Sequence, residues 1–140
     1  MPRPDRQQAL ARRWLAKART DLALATVVLE RDRAEMESWA AAFHAQQAAE
    51  KALKSILIAR GQDPPHIHSL RALQALMPAD FRLRASVAEL AELSQFATLT
   101  RYALDATGED EPTWEEAEAA VVVAGCVLAD VRSFLGIEQH

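Results

Sequence analysis

The sequence predicts an all-α protein, built as an antiparallel up-and-down helical bundle with four long helices and one short helix. Apolar residues recur at the helical period along several long segments. No run of alternating apolar and polar residues marks a strand, and the six prolines fall at predicted helix boundaries or in loops. A chain of 140 residues, half of them hydrophobic, also fits one domain over residues 1–140 with a core of its own.

The first helix is predicted from about Asp5 to about Leu29. Its apolar residues fall within one arc of a helical wheel, which is the pattern of an amphipathic helix. The residues of this arc are Leu10, Trp14, Ala18, Leu22, Ala25, Val28 and Leu29. Asp21 falls in the middle of the same arc, an unusual place for a carboxylate.

The second helix is predicted over about 37–60, with Gly61 as its C-terminal cap. The loop that follows is stiffened by Pro64 and Pro65. A short third helix is expected over about His68–Leu76.

The fourth helix is predicted from about Leu83 to Leu104, with an apolar face of its own. That face consists of Val87, Leu90, Leu93, Ala97 and Leu104. The last helix begins with a capping box, in which the Glu116 side chain can reach back to the Thr113 amide. It is expected to stop at Gly136. Several amphipathic helices with short connections favour an antiparallel bundle.

The net charge of −4 argues against general DNA binding and against binding to anionic membranes. The charge is distributed unevenly, with a basic excess in the first twenty residues and only acidic charges over 105–118. These two poles are either solvated helix ends or partners of each other, within the fold or between subunits.

The lone cysteine, Cys126, excludes an intrachain disulfide and a cysteine metal cluster. The N-terminus does not resemble a signal peptide, and no apolar run approaches the ~20 residues of a membrane span. We therefore expect a cytoplasmic protein.

The second helix divides into three arcs on a helical wheel. The first arc is a core stripe with one amide in it: Trp39, Ala42, Gln46, Ala49, Leu53, Ile56 and Leu57. The second arc contains only alanines, so another helix can approach it closely: Ala41, Ala45, Ala48, Ala52 and Ala59. The third arc is mostly polar: Phe43, His44, Gln47, Glu50, Lys51 and Lys54.

Since two sides of this helix are committed to packing, the third arc must face solvent, a ligand or a second copy of the chain. As a solvated face it carries Glu50 and Lys54 as an i,i+4 ion pair worth ~0.2–0.5 kcal/mol. Phe43 weighs against that interpretation, because an exposed aromatic among charges is unfavourable unless something covers it.

Three polar residues lie on apolar stripes: Asp21, Gln46 and Arg101. Ions are seldom buried unless they are paired, so we expect Asp21 to pair with Arg101, or each of them to pair with Glu50 or Lys51. A buried Gln46 amide must also find partners or lose ~1–3 kcal/mol. Such a buried polar network is either structural or the lining of a pocket between helices.

Arg101 and Tyr102 suit a nucleotide in particular. The planar fork of Arg101 can hold two phosphate oxygens at once, and Tyr102 can stack on a base or donate a hydrogen bond. His66 and His68 flank Ile67, but no third ligand is spaced to complete a metal site. No glycine-rich phosphate loop or other cofactor motif is present, so we expect neither a metal nor a cofactor.

On these residues the sequence resembles the HEPN domain family. The resemblance rests on Asp21 and Leu22, on "FHAQQAAEKALKSILIARG" (43–61), on "PPHIHSLRAL" (64–73), and on Arg101 with Tyr102. It implies a bundle like the C-terminal helical domain of kanamycin nucleotidyltransferase, commonly homodimeric. Free-standing members often work with a minimal nucleotidyltransferase partner, as toxin–antitoxin or related modules, and nucleotide binding has been proposed for the family.

Another branch of the family consists of metal-independent ribonucleases with an R-x(4–6)-H motif. This sequence departs from that motif, because no histidine lies between Arg101 and His140. The acid or base expected of such a nuclease is absent there.

The resemblance therefore implies a non-catalytic HEPN protein that dimerises and contributes to a nucleotide site with its nucleotidyltransferase partner. The expected binding residues are Gln47, Glu50, Lys51, Lys54, Arg101 and Tyr102. The two lysines and the arginine would neutralise phosphates, Glu50 would orient a lysine or accept from a ribose hydroxyl, Gln47 would bind a base edge, and Tyr102 would stack. Two alternatives stay open: a structural dimerisation module without ligand, and a ribonuclease toxin with a degenerate motif.

Overall fold

The computed structural model describes residues 4–98 and 107–137. Within these residues it contains helices and no strand. The helices are α1 (Pro4–Glu30), α2 (Ser38–Ala59), α3 (Leu70–Ala75), α4 (Val87–Ser94), which continues into a 3-10 turn (Gln95–Ala97), and α5 (Trp114–Leu135). The all-α helical bundle predicted from the sequence is confirmed.

The helix directions follow from contacts between their ends. Gly61, just after α2, lies against the side chain of Gln7 near the start of α1, so α1 and α2 are antiparallel. The Ser38 hydroxyl at the start of α2 donates to the Pro112 carbonyl, 2.6 Å away and just before α5. Helices α2 and α5 therefore run in the same direction.

Two ion pairs place α4 and α5. Arg33, which follows α1, contacts Glu118 in the first turns of α5 at 2.7 Å. Arg84, which precedes α4, contacts Asp130 near the end of α5 at 2.8 Å. Consequently α5 is antiparallel to both α1 and α4, as the up-and-down arrangement requires.

Helix α2 occupies the centre of the bundle and packs against both α1 and α5. Its alanines 41, 45, 48 and 52 have no exposed surface, and such small side chains let neighbouring helices approach closely. Leu53 and Ile56 are also fully buried. The polar third arc of α2 lies beside this core and is described below.

Capping residues set the helix ends. The capping box of Thr113 and Glu116 is confirmed at the start of α5. A second capping box, Ser86 with Glu89, starts α4 at Val87 rather than at Leu83. Ser69 accepts a hydrogen bond from the Ala72 amide and starts α3 at Leu70 rather than at His68. A side-chain oxygen that satisfies the orphan amides of the first turn fixes where a helix begins.

The helices that the structure describes do not include one long and apolar enough to cross a membrane.

Candidate functional site

Asp21 connects α1 to α2 through two hydrogen bonds. Its buried carboxylate accepts from His44 Nδ1 at 3.0 Å and from Lys51 Nζ at 2.5 Å. An ionised carboxylate can only accept, so the proton lies on His44 Nδ1. In the neutral ring, Nε2 is then unprotonated. Asp21 thus fixes the tautomer of a histidine whose side chain stays 30% exposed.

Glu50 makes a second centre of the same kind. Its Oε1 accepts from His68 Nδ1 at 2.8 Å, and its Oε2 accepts from Lys54 Nζ at 3.1 Å. The side chains of Glu50 and Lys54 are each only 7% exposed. The solvated i,i+4 pair considered from the sequence is therefore wrong: this ion pair is buried, and its loss carries the larger energies of buried charges.

Two glutamines extend the hydrogen bonding around Glu50. Gln46, fully buried, donates through Nε2 to Glu50 Oε1 at 3.2 Å and to the His68 carbonyl at 3.1 Å. Gln47 Nε2 donates in turn to Gln46 Oε1 at 2.7 Å. Among the described residues no buried side-chain nitrogen or oxygen lacks a partner, so these groups are held in defined positions.

We call this set of side chains the polar network. It comprises Asp21, His44, Gln46, Gln47, Glu50, Lys51, Lys54 and His68. Its plan is a repeated one, in which a buried carboxylate lies between a histidine Nδ1 and a lysine ammonium. The carboxylates balance the ammonium groups, so the network is neutral while both histidines are neutral.

The network residues differ in accessibility. Lys51 and His68 are 28% and 63% exposed in their side chains, and Gln47 is partly exposed. Lys54 and Glu50, by contrast, are covered. Phe43 is partly buried and meets the His44 ring edge-on, with ring centroids 5.3 Å apart.

The structure joins several of the residues predicted from the sequence and adds two. Asp21 pairs with Lys51, which was one of the pairings expected for it. Arg101 and Tyr102 lie outside the described residues, and so does the expected pair of Asp21 with Arg101. His44 and His68 were not predicted as members of the network. Their partners are 23 and 18 residues away in sequence, and no spacing rule connects them.

A separate cavity of about 470 Å³ lies between the start of α1 and the end of α2. Trp14, Leu10 and Ile58 contribute apolar walls, and Arg6 and Arg13 contribute cations. No residue of the polar network lines it. In the described parts of the chain, His, Cys, Asp and Glu side chains form no group of three or more that could hold a metal ion.

Comparisons with known proteins identify the family of this chain. The family model described as the HEPN domain matches residues 11–134. The crystal structure of TT1696 from Thermus thermophilus is similar to this chain at 37% sequence identity and a TM-score of 0.72, and the match covers 88% of this chain and 96% of that one. No curated protein matches the sequence. Because the family model covers most of its length, this chain belongs to the HEPN domain family.

Proposed function

We propose that this HEPN protein is non-catalytic, forms a homodimer and works in the cytoplasm with a minimal nucleotidyltransferase partner. In this proposal it contributes part of a nucleotide-binding site, as one half of a toxin–antitoxin-like module. The observation that supports the site is the polar network, where fixed donors reach the surface beside buried carboxylates.

The accessible members of the network suit the parts of a nucleotide. Lys51 can contact a phosphate, and the Gln47 amide can hydrogen-bond a base edge. Lys54 is covered by Glu50, so its role here is to hold the Glu50 carboxylate in place rather than to touch the ligand. Glu50 in turn orients His68, the most exposed side chain of the network's ion pairs.

Charge balance decides what else the site needs. Lys51 is already paired with Asp21, so a phosphate that approaches Lys51 competes with a carboxylate. Binding at neutral pH therefore needs a further cation. We assign that part to Arg101, whose guanidinium can grip two phosphate oxygens, with Tyr102 stacking on the base.

Calorimetric titration with a nucleoside triphosphate tests this proposal, on the chain alone and with its nucleotidyltransferase partner. We expect wild type to bind, and Lys51→Ala together with Arg101→Ala to abolish binding while the far-UV circular dichroism stays helical. Lys17→Ala, an exposed lysine of α1, is the matched control and should bind like wild type. If wild type shows no binding in either format, the nucleotide site does not exist.

A second candidate function, RNA cleavage by general acid–base catalysis, is favoured by the two histidine–carboxylate pairs. A carboxylate that holds Nδ1–H leaves Nε2 available to take or give a proton. Incubation of total RNA with pure protein tests it, with His44→Ala, His68→Ala and Arg101→Ala as controls. Intact RNA after incubation with wild type would exclude this candidate.

A further inference from the structure

Helix α1 carries a second, exposed row of small and apolar side chains opposite its buried stripe. The row consists of Ala16, Thr20, Ala23 and Val27, all exposed. Their spacing of four, three and four residues is that of a helix-pairing seam. The Thr20 hydroxyl donates to the Ala16 carbonyl of its own helix at 3.1 Å, so it needs no other partner. Val27 is 48% exposed, and Leu24 beside it is 44% exposed.

This row borders a groove of about 700 Å³ between α1 and α5. Gly125 lines the groove from the middle of α5, and Val122, one turn before it, is 67% exposed. Glycine destabilises a helix interior relative to alanine. A Cβ at Gly125 would meet no atom of its own chain within 4 Å. Packing within the chain therefore does not require this glycine, whereas close approach of another molecule would.

Charges are arranged along the same face of α1. Arg12 and Arg19 lie towards its start and Glu30 lies at its end, all exposed. None of the three forms an ion pair with another residue of the described ranges. Arg12 and Glu30 are each nine residues from position 21, which is about 13 Å along a helix. The face is thus complementary to an inverted copy of itself.

We infer that this face of α1 and α5, referred to below as the docking face, binds a second copy of the chain in antiparallel orientation. The twofold axis passes near Thr20 and Ala23, so Arg12 of each protomer lies opposite Glu30 of its partner. A twofold interface requires one surface to supply both halves of each contact, and this charge pattern does so. The inference rests on the homodimer of the proposed function and is independent of the nucleotide site.

Sedimentation analysis of the full chain over a range of concentrations tests the docking face. Ala23→Glu places two like charges at the axis, and we expect it to weaken the dimer by about a hundredfold or more. Val87→Glu is the matched control, because Val87 is 49% exposed on α4, away from the docking face, and it should leave the dimer intact. Gly125→Ala should weaken the dimer by about tenfold without lowering the thermal stability of the protomer, which separates docking from unfolding.

A charge exchange tests the orientation. Arg12→Glu should weaken the dimer, and adding Glu30→Arg should restore it, because the exchanged charges meet again only when α1 lies antiparallel to its mate. A dimer that is unaffected by Ala23→Glu would overturn the docking face and leave the homodimer standing. A wild-type chain that is monomeric at all concentrations would overturn both, while the nucleotide titration would still decide the nucleotide site.

Discussion

Replacement of Glu50 by glutamine should be among the most damaging near-isosteric changes in this protein. Glu50 is buried and accepts hydrogen bonds from Lys54, His68 and Gln46. The ammonium of Lys54 forms its described ion pair with Glu50 alone. Glu50→Gln keeps the size of the side chain but leaves a buried ammonium without a counter-charge.

The burial of both partners sets the expected magnitude. Removing one member of a buried ion pair costs about 3–5 kcal/mol, so we expect Glu50→Gln to fall in this range. Lys54→Met should cost less, about 1–2 kcal/mol, because Glu50 then retains His68 and Gln46 as donors. The double variant Glu50→Gln/Lys54→Met should be more stable than Glu50→Gln, because it no longer buries an unpaired charge.

Urea unfolding at pH 7, followed by circular dichroism, measures these differences if the slope with denaturant stays constant among the variants. Glu118→Gln is the matched control, since it breaks the exposed pair with Arg33, whose side chain is 56% exposed. Exposed pairs contribute about 0–1 kcal/mol. Our reasoning is refuted if Glu50→Gln costs no more than Glu118→Gln, or if the double variant is no more stable than Glu50→Gln.

Two further predictions concern a helix end and a helix start. Gly61 and Gly136 both have positive φ, 76° and 69°, so alanine at either position should cost about 1–2 kcal/mol in thermal unfolding. Gly61→Ala should cost more than Gly136→Ala, because a Cβ there would lie 2.5 Å from Gln7 Nε2 whereas at Gly136 it meets nothing; equal costs would show that Gln7 moves away freely. Hydrogen bonds from the backbone and then the side chain of Ser86 lower the pKa of Glu89, so its contribution to stability is present above its unfolded pKa and is lost as pH falls through the folded value. The difference in midpoint between wild type and Glu89→Gln should therefore shrink as pH falls from 7 to about 3, and a constant difference would contradict the assigned role.

Sequence periodicity was sufficient for most of the fold. The first helix was predicted from about Asp5 to Leu29 and spans Pro4–Glu30, because one continuous apolar stripe defines it. The start of α4 was misplaced at Leu83, although Ser86 and Glu89 form a readable capping box. In that case the capping signal, rather than the apolar pattern, fixed the boundary.

The polar network was predictable only in part, for a physical reason. A helical wheel shows that Glu50 and Lys51 share one side of α2, but it does not show what covers that side. His68 reaches Glu50 from a loop, and Asp21 reaches His44 and Lys51 from another helix. Such contacts depend on tertiary packing, which local sequence spacing does not encode. The roles of the network residues in binding remain predictions.

The central position of α2 has a consequence for local opening of the chain. Fifteen of its 22 residues are buried, so this helix has little surface from which to fray. Its amide hydrogens should exchange with solvent mainly through global unfolding, whereas those of the six-residue α3 should exchange through smaller openings. Slow exchange along α2 would then report the stability of the whole domain, and any ligand of the native state should slow it in proportion to its binding energy.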